Sequence, residues 1–246
     1  MGDLKIKDKD IVVPGEILAA GMDFLPSGGA FREGEDIIAS QVGVVSIDGR
    51  LVKVVPLAIK YIPKRGDMVI GTVEEVTNNG WFVDFGYSNF ALIPLRDGSM
   101  DYIPKGADLT QYYNYGDYVV ANITNVTKSK QVDLSMKGPG LRKLSEGVIL
   151  KVNPAKVPRI IGKQGSMISM VKTKTDCRIV VGQNGLIWIY GIDPVKEKVA
   201  VDTIKMIDEK AHIQGLTDEV SAYLEKKVGG EKRTTVDGKE GEENVQ

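Results

Sequence analysis

The chain has 246 residues, of which 42% are hydrophobic and 26% charged, with a formal net charge of −1; that is enough for two or three soluble domains, and it excludes the global cationic field that marks many nucleic-acid binders, so any such site has to be a local patch. Cys177 is the only cysteine and His212 the only histidine, which excludes an intrachain disulfide, a multi-cysteine zinc cluster and the usual histidine-dependent hydrolase triads. No apolar run reaches the roughly twenty residues that span a bilayer, and the charged first ten residues are unlike a signal peptide, so the expectation is a cytoplasmic protein with no membrane partner and no cofactor or metal.

Residues 1–63 hold short β-type runs at 11–13, 37–45 and 51–57, broken by glycine and proline, and read as a small all-β domain. The stretch Pro26-Ser27-Gly28-Gly29-Ala30 lacks the Gly-Lys-Ser/Thr ending and the following helix of a phosphate loop, so it reads as a glycine-rich surface turn.

From residue 64 to 137 the alternation becomes regular, with a period of two. Strands are expected at 66–73, 80–86, 91–94, 118–126 and 131–136, the last two joined by the turn Thr127-Lys128-Ser129-Lys130. A tyrosine-bearing connection of about twenty residues separates the third and fourth strands, long enough to be functional or to hold a short helix. Five strands with one long connection suit a small OB-type barrel.

Gly138-Pro139-Gly140 then breaks the pattern, and a mixed segment follows over 138–228. A strand at 148–152 leads into a short helix around 157–161 and the turn Gly162-Lys163-Gln164-Gly165. A second helix has Met167, Ile168 and Val171 at helical spacing. A hairpin crosses Gly182-Gln183-Asn184-Gly185 between strands at 177–181 and 186–190. Asp193-Pro194 supplies an N-cap and first-turn proline for a longer helix with the stripe Ala200, Ile204, Ile207 and Ala211. A further short helix is expected at 217–228. Residues 229–246 are polar and charged with almost no large apolar side chain, and read as a disordered tail.

The order β-α-α-β-β-α around a Gly-x-x-Gly turn is that of a type I KH domain, which lets the backbone of a single strand pass close to glycines that carry no Cβ. The spacing alone is weak, since Gly182/Gly185 and Gly238/Gly241 match it too. Only Gly162/Gly165 lies between two helix candidates, preceded by Ile160-Ile161. The RNA-binding candidates here are therefore Arg159, Ile161, Gly162, Lys163, Gln164 and Gly165, with Lys156, Lys172 and Lys174 as flanking cations that add to affinity and salt dependence.

In the barrel, Gly80-Trp81-Phe82-Val83 resembles the glycine-aromatic-valine strand of S1 domains, in which an exposed ring stacks on a base. Alternation puts Trp81 and Phe82 on opposite faces, so only one of them meets RNA; the resemblance favours Phe82 for that role, with Trp81 as the other candidate. Many S1 domains have a histidine where this chain has Pro94, and an arginine where it has Asp133. With that patch incomplete, backbone attraction by Arg96, Lys128 and Lys130 is expected instead.

An all-β domain, an S1 barrel and a KH domain, in that order over about residues 4–228, together resemble the archaeal exosome subunits of the S1/KH type. Bacterial polynucleotide phosphorylase has the opposite order and carries its phosphorolytic domains in the same chain. The resemblance implies a multidomain β and α+β fold, a non-catalytic role and single-stranded RNA as ligand. It further implies a trimeric cap on a ring of RNase PH-like subunits, docked through the N-terminal domain. A free-standing RNA-binding or ribosome-associated translation factor is the alternative, because both modules recur in such proteins. A magnesium nuclease centre from Asp84, Asp97, Asp101 and Asp108 is weakly supported, because their spacing does not converge them.

Overall fold

The computed structural model describes residues 2–57, 60–104, 106–211, 213 and 215–229, and the chain divides into two compact units, Met1–Lys60 and Tyr61–Gln246.

The first unit is all β. Its strands are β1 (Asp3–Leu4), β2 (Ile11–Val12), β3 (Ile17–Ala20), β4 (Leu25–Pro26), β5 (Ala30–Glu33), β6 (Asp36–Ala39), β7 (Gly43–Asp48) and β8 (Leu51–Pro56). They form two four-stranded sheets, β1-β3-β6-β5 and β2-β7-β8-β4, around a core that includes Leu18, Ile37, Val45, Val52 and Val54. The single run expected over 37–45 is in fact two strands in different sheets. The break lies at residues 40–42, and β7 opens at Gly43 opposite Pro56, where a Cβ would lie 2.4 Å from the Val55 carbonyl oxygen, so the strand starts on a residue without one.

In the second unit, β9 (Met68–Thr77), β10 (Gly80–Asp84), β11 (Ala91–Pro94), β12 (Tyr118–Val126) and β13 (Val132–Ser135) close into a five-stranded barrel. Closure comes from a parallel β11–β13 contact at Leu92 and Asp133 and from the antiparallel β12–β13 ladder, so the barrel has no open edge between these strands. Inward residues alternate along each strand: Val69, Val73, Trp81, Val83, Ile93, Ile123 and Leu134 fill the interior. The long β11–β12 connection holds two short 3-10 turns, Leu95–Asp97 and Leu109–Gln111. A short strand β14 (Arg142–Lys143) adds beside β12.

The rest is an α+β layer. β15 (Val148–Lys151), β16 (Arg178–Val181) and β17 (Leu186–Tyr190) form an antiparallel sheet in the order β15-β17-β16. Helices α1 (Val157–Ile161), α2 (Ser166–Thr175) and α3 (Pro194–Glu209) complete the β-α-α-β-β-α order of a type I KH fold. The Asp193 side chain accepts from the Val195 N–H at 2.9 Å and Pro194 takes the first helical position, as the sequence suggests. α3 ends at Glu209, so Ala211 lies in the turn beyond it, half-buried, rather than on the helical stripe. α4 (Leu216–Gly229) packs Leu216, Val220 and Leu224 into the same core. The tail expected from residue 229 onward lies, after Gly229, outside the described residues.

The barrel and the KH layer share a second core. Ile149, Val180, Leu186, Trp188 and Tyr190 on one face of the KH sheet meet Met68, Ile70 and Val120 of the barrel, with Leu141 and Leu144 of the linker packed between the same groups. The Gly182–Gly185 hairpin turn docks on the barrel wall: Gln183 N–H donates to Met68 O at 2.8 Å, and the buried Asn184 amide bonds the backbone of Ile70 and Phe85. Among the described residues no helix is long and apolar enough to cross a membrane.

Candidate nucleic-acid interface

The turn between α1 and α2 has a backbone that ordinary residues resist. Gly162 has φ 76° and ψ 174°, Gln164 has φ 53°, and Gly165 has φ 78°. Positive φ costs a residue with a Cβ roughly 1–2 kcal/mol. At Gly162 space forbids it too, since a Cβ would lie 2.7 Å from Met167 Cβ and 2.8 Å from its backbone nitrogen. At Gly165 the nearest atom is Ser169 Oγ at 4.0 Å, so the demand there is conformational and the surface stays open. Lys163 and Gln164 are both exposed. Ile161 ends α1 half-buried against the domain core. α2 starts immediately behind, so the partial positive charge of its N-terminus adjoins the turn.

On the barrel, strand pairing sets out one row of residues. Phe82 on β10 faces Glu75 on β9 and Leu92 on β11; Leu92 faces Asp133 on β13, whose carboxylate accepts from Asn125 Nδ2 at 3.1 Å. Phe82 is half-buried and lines an open pocket of ≈ 520 Å³ together with Glu75, Ser88, Asn89, Phe90 and Gln131. Trp81 is on the other side. It has no exposed surface, its Nε1–H donates to Leu109 O at 3.2 Å and Tyr113 O at 3.0 Å, and it packs edge-on against Tyr113 at 5.0 Å. The structure therefore removes Trp81 from the RNA-facing candidates: a ring enclosed on both faces has none left for a base. Burial also raises the pKa of the Tyr113 hydroxyl above its ordinary value, keeping it a donor to Gly98 O at 2.7 Å.

These two surfaces are those of an S1 barrel and a KH layer, and the comparisons with known proteins agree. Residues 60–105 match the model described as "RRP4, S1 domain", and residues 147–195 match the KH domain model. The chain is 41% identical over 240 residues to the exosome complex component Rrp4 of Methanothermobacter thermautotrophicus, covering 98% of this chain and 76% of that one. The chain belongs to the Rrp4 family of exosome complex components. The Rrp4 of Methanothermus fervidus is 42% identical over 222 residues, covering 90% of this chain and 97% of the relative. A solved structure assigned as an exosome complex RNA-binding protein superposes with a TM-score of 0.63 at 34% identity, over 70% of this chain and 99% of that one.

In this Rrp4-family chain the cations divide by what already engages them. Lys156 is held: its Nζ donates to Asp208 O at 2.5 Å and lies 3.7 Å from the Asp208 carboxylate, tying the start of α1 to α3. Lys174 pairs with Glu225 of α4 at 3.3 Å. Each also closes a helix contact, which the sequence did not show. Arg159 is exposed and donates one Nη2 hydrogen bond to Ile213 O at 3.1 Å, tying α1 to the segment after α3. Lys128 and Lys130 are exposed in the β12–β13 turn; Lys130 has φ 63°, and the Thr127 hydroxyl accepts from the Gln131 N–H at 3.0 Å to close the turn. Gln131, the residue after Lys130, lines the Phe82 pocket. Arg96 is elsewhere: it lines a separate, larger pocket and its Nε pairs with Asp97 at 3.2 Å.

Three of the four aspartates of the nuclease idea do local work. Asp84 accepts from Gly86 N–H at 2.8 Å, Asp97 pairs with Arg96, and Asp108 caps Thr110. Among the described residues no three acidic, histidine or cysteine side chains gather as a metal site. Phe90 was missed by the sequence reading. It is 56% exposed beside Phe82, and its only sequence signal was an aromatic in a polar loop following a barrel strand.

Proposed function

We propose that the chain is a non-catalytic, RNA-binding exosome subunit that forms a trimeric cap on a ring of RNase PH-like subunits in the cytoplasm. It captures single-stranded RNA and guides the 3′ end into the ring, where 3′-to-5′ degradation takes place. The observation that carries this reading is the pairing of a Gly-x-x-Gly clamp with an aromatic barrel platform in one unit, joined by a shared apolar core and the Asn184 hydrogen bonds. Two single-strand sites held at a fixed separation suit guiding a strand, because neither has to be reordered when the other is filled. The Gly-x-x-Gly turn supplies backbone contact, and Phe82 supplies a base-tolerant stack.

Residues 1–63 serve as the anchor in this proposal. Support comes from apolar side chains exposed on strands at or next to sheet edges: Ile11 on β2, Leu25 on β4, Phe31 on β5 and Val55 on β8. Unpaired edges with apolar side chains are surfaces that need covering.

The test is a size-resolved pull-down of the intact protein from its native lysate at high salt, read by mass spectrometry. Two RNase PH-like subunits are expected in the retained complex. Ribosomal proteins, or RNA alone, in their place would make the chain a free-standing RNA-binding or ribosome-associated factor.

A further inference from the structure

Two large side chains of the β11–β12 connection have no packing role. Met100 is 76% exposed and Tyr102 85%, yet the backbone that carries them is pinned on both sides. Before them, Gly98 lies so close to the Trp81 indole that a Cβ would fall 2.3 Å from it. The Tyr113 hydroxyl donates to Gly98 O at 2.7 Å, and Met136 N–H donates to Asp97 O at 2.8 Å. After them, Ile103 and Leu109 are buried in the barrel core. An aromatic ring held in water by a pinned backbone is pre-organised, and covering it with a ligand requires little further ordering of the chain.

Tyr102 and Met100 line a pocket of ≈ 820 Å³ that also presents Asn78 and Asn79 from the β9–β10 turn, Arg96 and Lys137. The chemistry suits a nucleotide: a ring to stack on a base, carboxamides with donors and acceptors for a base edge, and Arg96 and Lys137 for a phosphate, with Asp101 in the same lining and Asp97 against Arg96 Nε as the opposing charge. Its place on the barrel says which nucleotide. Pro94, in the same pocket, pairs with Gly80, two residues along β10 from the Phe82–Leu92 pair. Residues two apart share a face and lie roughly 7 Å from each other, about two intervals of a stacked strand. The pocket thus continues the Phe82 platform along the same strands.

We infer that this pocket takes a second nucleotide of the RNA strand bound at Phe82, with its base on Tyr102 and its phosphate drawn to Arg96 and Lys137. The inference rests on the proposed RNA-binding role of the barrel and extends it to the connection.

The experiment measures binding of a fluorescein-labelled single-stranded RNA 12-mer to the full chain by anisotropy. All variants carry Lys163→Asp and Gln164→Asp, which place two carboxylates at the KH turn, so the remaining affinity reports the barrel. Tyr102→Ala should weaken binding about fivefold or more, the lower end of a lost stack, while Tyr102→Phe stays within about twofold because the ring remains. Tyr102 is exposed, and an unchanged circular dichroism melt checks that folding is unaffected. If Tyr102→Ala binds like its parent while Phe82→Ala loses affinity, the second site is wrong, the barrel reading stands, and the pocket faces a protein instead. If Tyr102→Phe is as weak as Tyr102→Ala, stacking is overturned. If neither Phe82→Ala nor Tyr102→Ala changes binding, or the parent does not bind, the barrel reading falls with the inference.

Discussion

The side chain of Asn184 makes a two-way amide pair with the backbone of Ile70: its Nδ2 donates to Ile70 O at 2.7 Å and its Oδ1 accepts from Ile70 N–H at 3.2 Å. A third bond runs from Nδ2 to Phe85 O at 2.8 Å. The two residues are 114 apart in the chain, one in a KH hairpin turn and the other on a barrel strand. Asn184→Ala leaves these buried backbone groups unpaired, a cost of about 2 kcal/mol or more. The expected outcome in denaturant is a lower midpoint, with the KH layer becoming proteolytically separable from the barrel. An unchanged midpoint would mean that the apolar contact around Trp188 and the Gln183 N–H bond to Met68 O hold them without Asn184.

The glycine turn makes a graded prediction. Gly162→Ala has both a steric clash and a positive φ, and should lose RNA binding along with stability. Gly165→Ala has only the φ, so it should cost about 1–2 kcal/mol of stability and retain part of the binding. Thermal melts and anisotropy on the two proteins, side by side, check the order.

Trp81 and Phe82 are neighbours that should separate stability from binding. Trp81→Phe removes the indole donor from Tyr113 O, while Leu109 O keeps the Tyr112 and Tyr113 N–H groups, and should destabilise by about 1–3 kcal/mol. Phe82→Ala should scarcely shift the melt while weakening RNA binding by about 1–3 kcal/mol. The reverse assignment of the two effects would put the wrong ring on the RNA face.

Lys128 and Lys130 are exposed in the turn that leads into Gln131, which lines the Phe82 pocket. If both neutralise phosphates, reversing both charges lowers affinity and flattens the plot of log K against log salt by roughly 1.4. Unchanged affinity and slope would exclude these lysines from the interface.

Asp133 tests the opposite sign. Its carboxylate lies in the row Glu75, Phe82, Leu92, Asp133, where it repels phosphate. Asp133→Arg should tighten RNA binding several-fold at low salt and steepen the slope by roughly 0.7. A titration over salt concentrations that finds weaker or unchanged binding would show that the strand does not cross this row.

The fold was largely legible from period and punctuation. Alternation over β9 to β13, the turn at Lys128 to Lys130, and the Asp193-Pro194 helix start each state a local rule that the structure obeys. So does the Gly-x-x-Gly turn, because its glycines answer a local backbone demand. The run over residues 37–45 was misread because a β-prone sequence does not say where a strand must leave one sheet for another; that depends on the partners each half pairs with, β3 and β5 for β6, β2 and β8 for β7. The ion-pair partners of Lys156 and Lys174 were not legible, because a lysine's partner is a matter of which helices meet.

Sequence alone determined the order of the modules, the alternation that sends Trp81 and Phe82 to opposite sides, and the place of the Gly-x-x-Gly turn between two helices, since these depend on neighbours a few residues apart. Tertiary structure decided which of the two rings is enclosed, that Phe90 and Tyr102 stand in the open, and that a hairpin turn with a decoy glycine spacing joins the KH layer to the barrel through Asn184. Those outcomes depend on contacts between segments far apart in the chain, where burial and hydrogen-bond satisfaction, rather than local preference, set the energy.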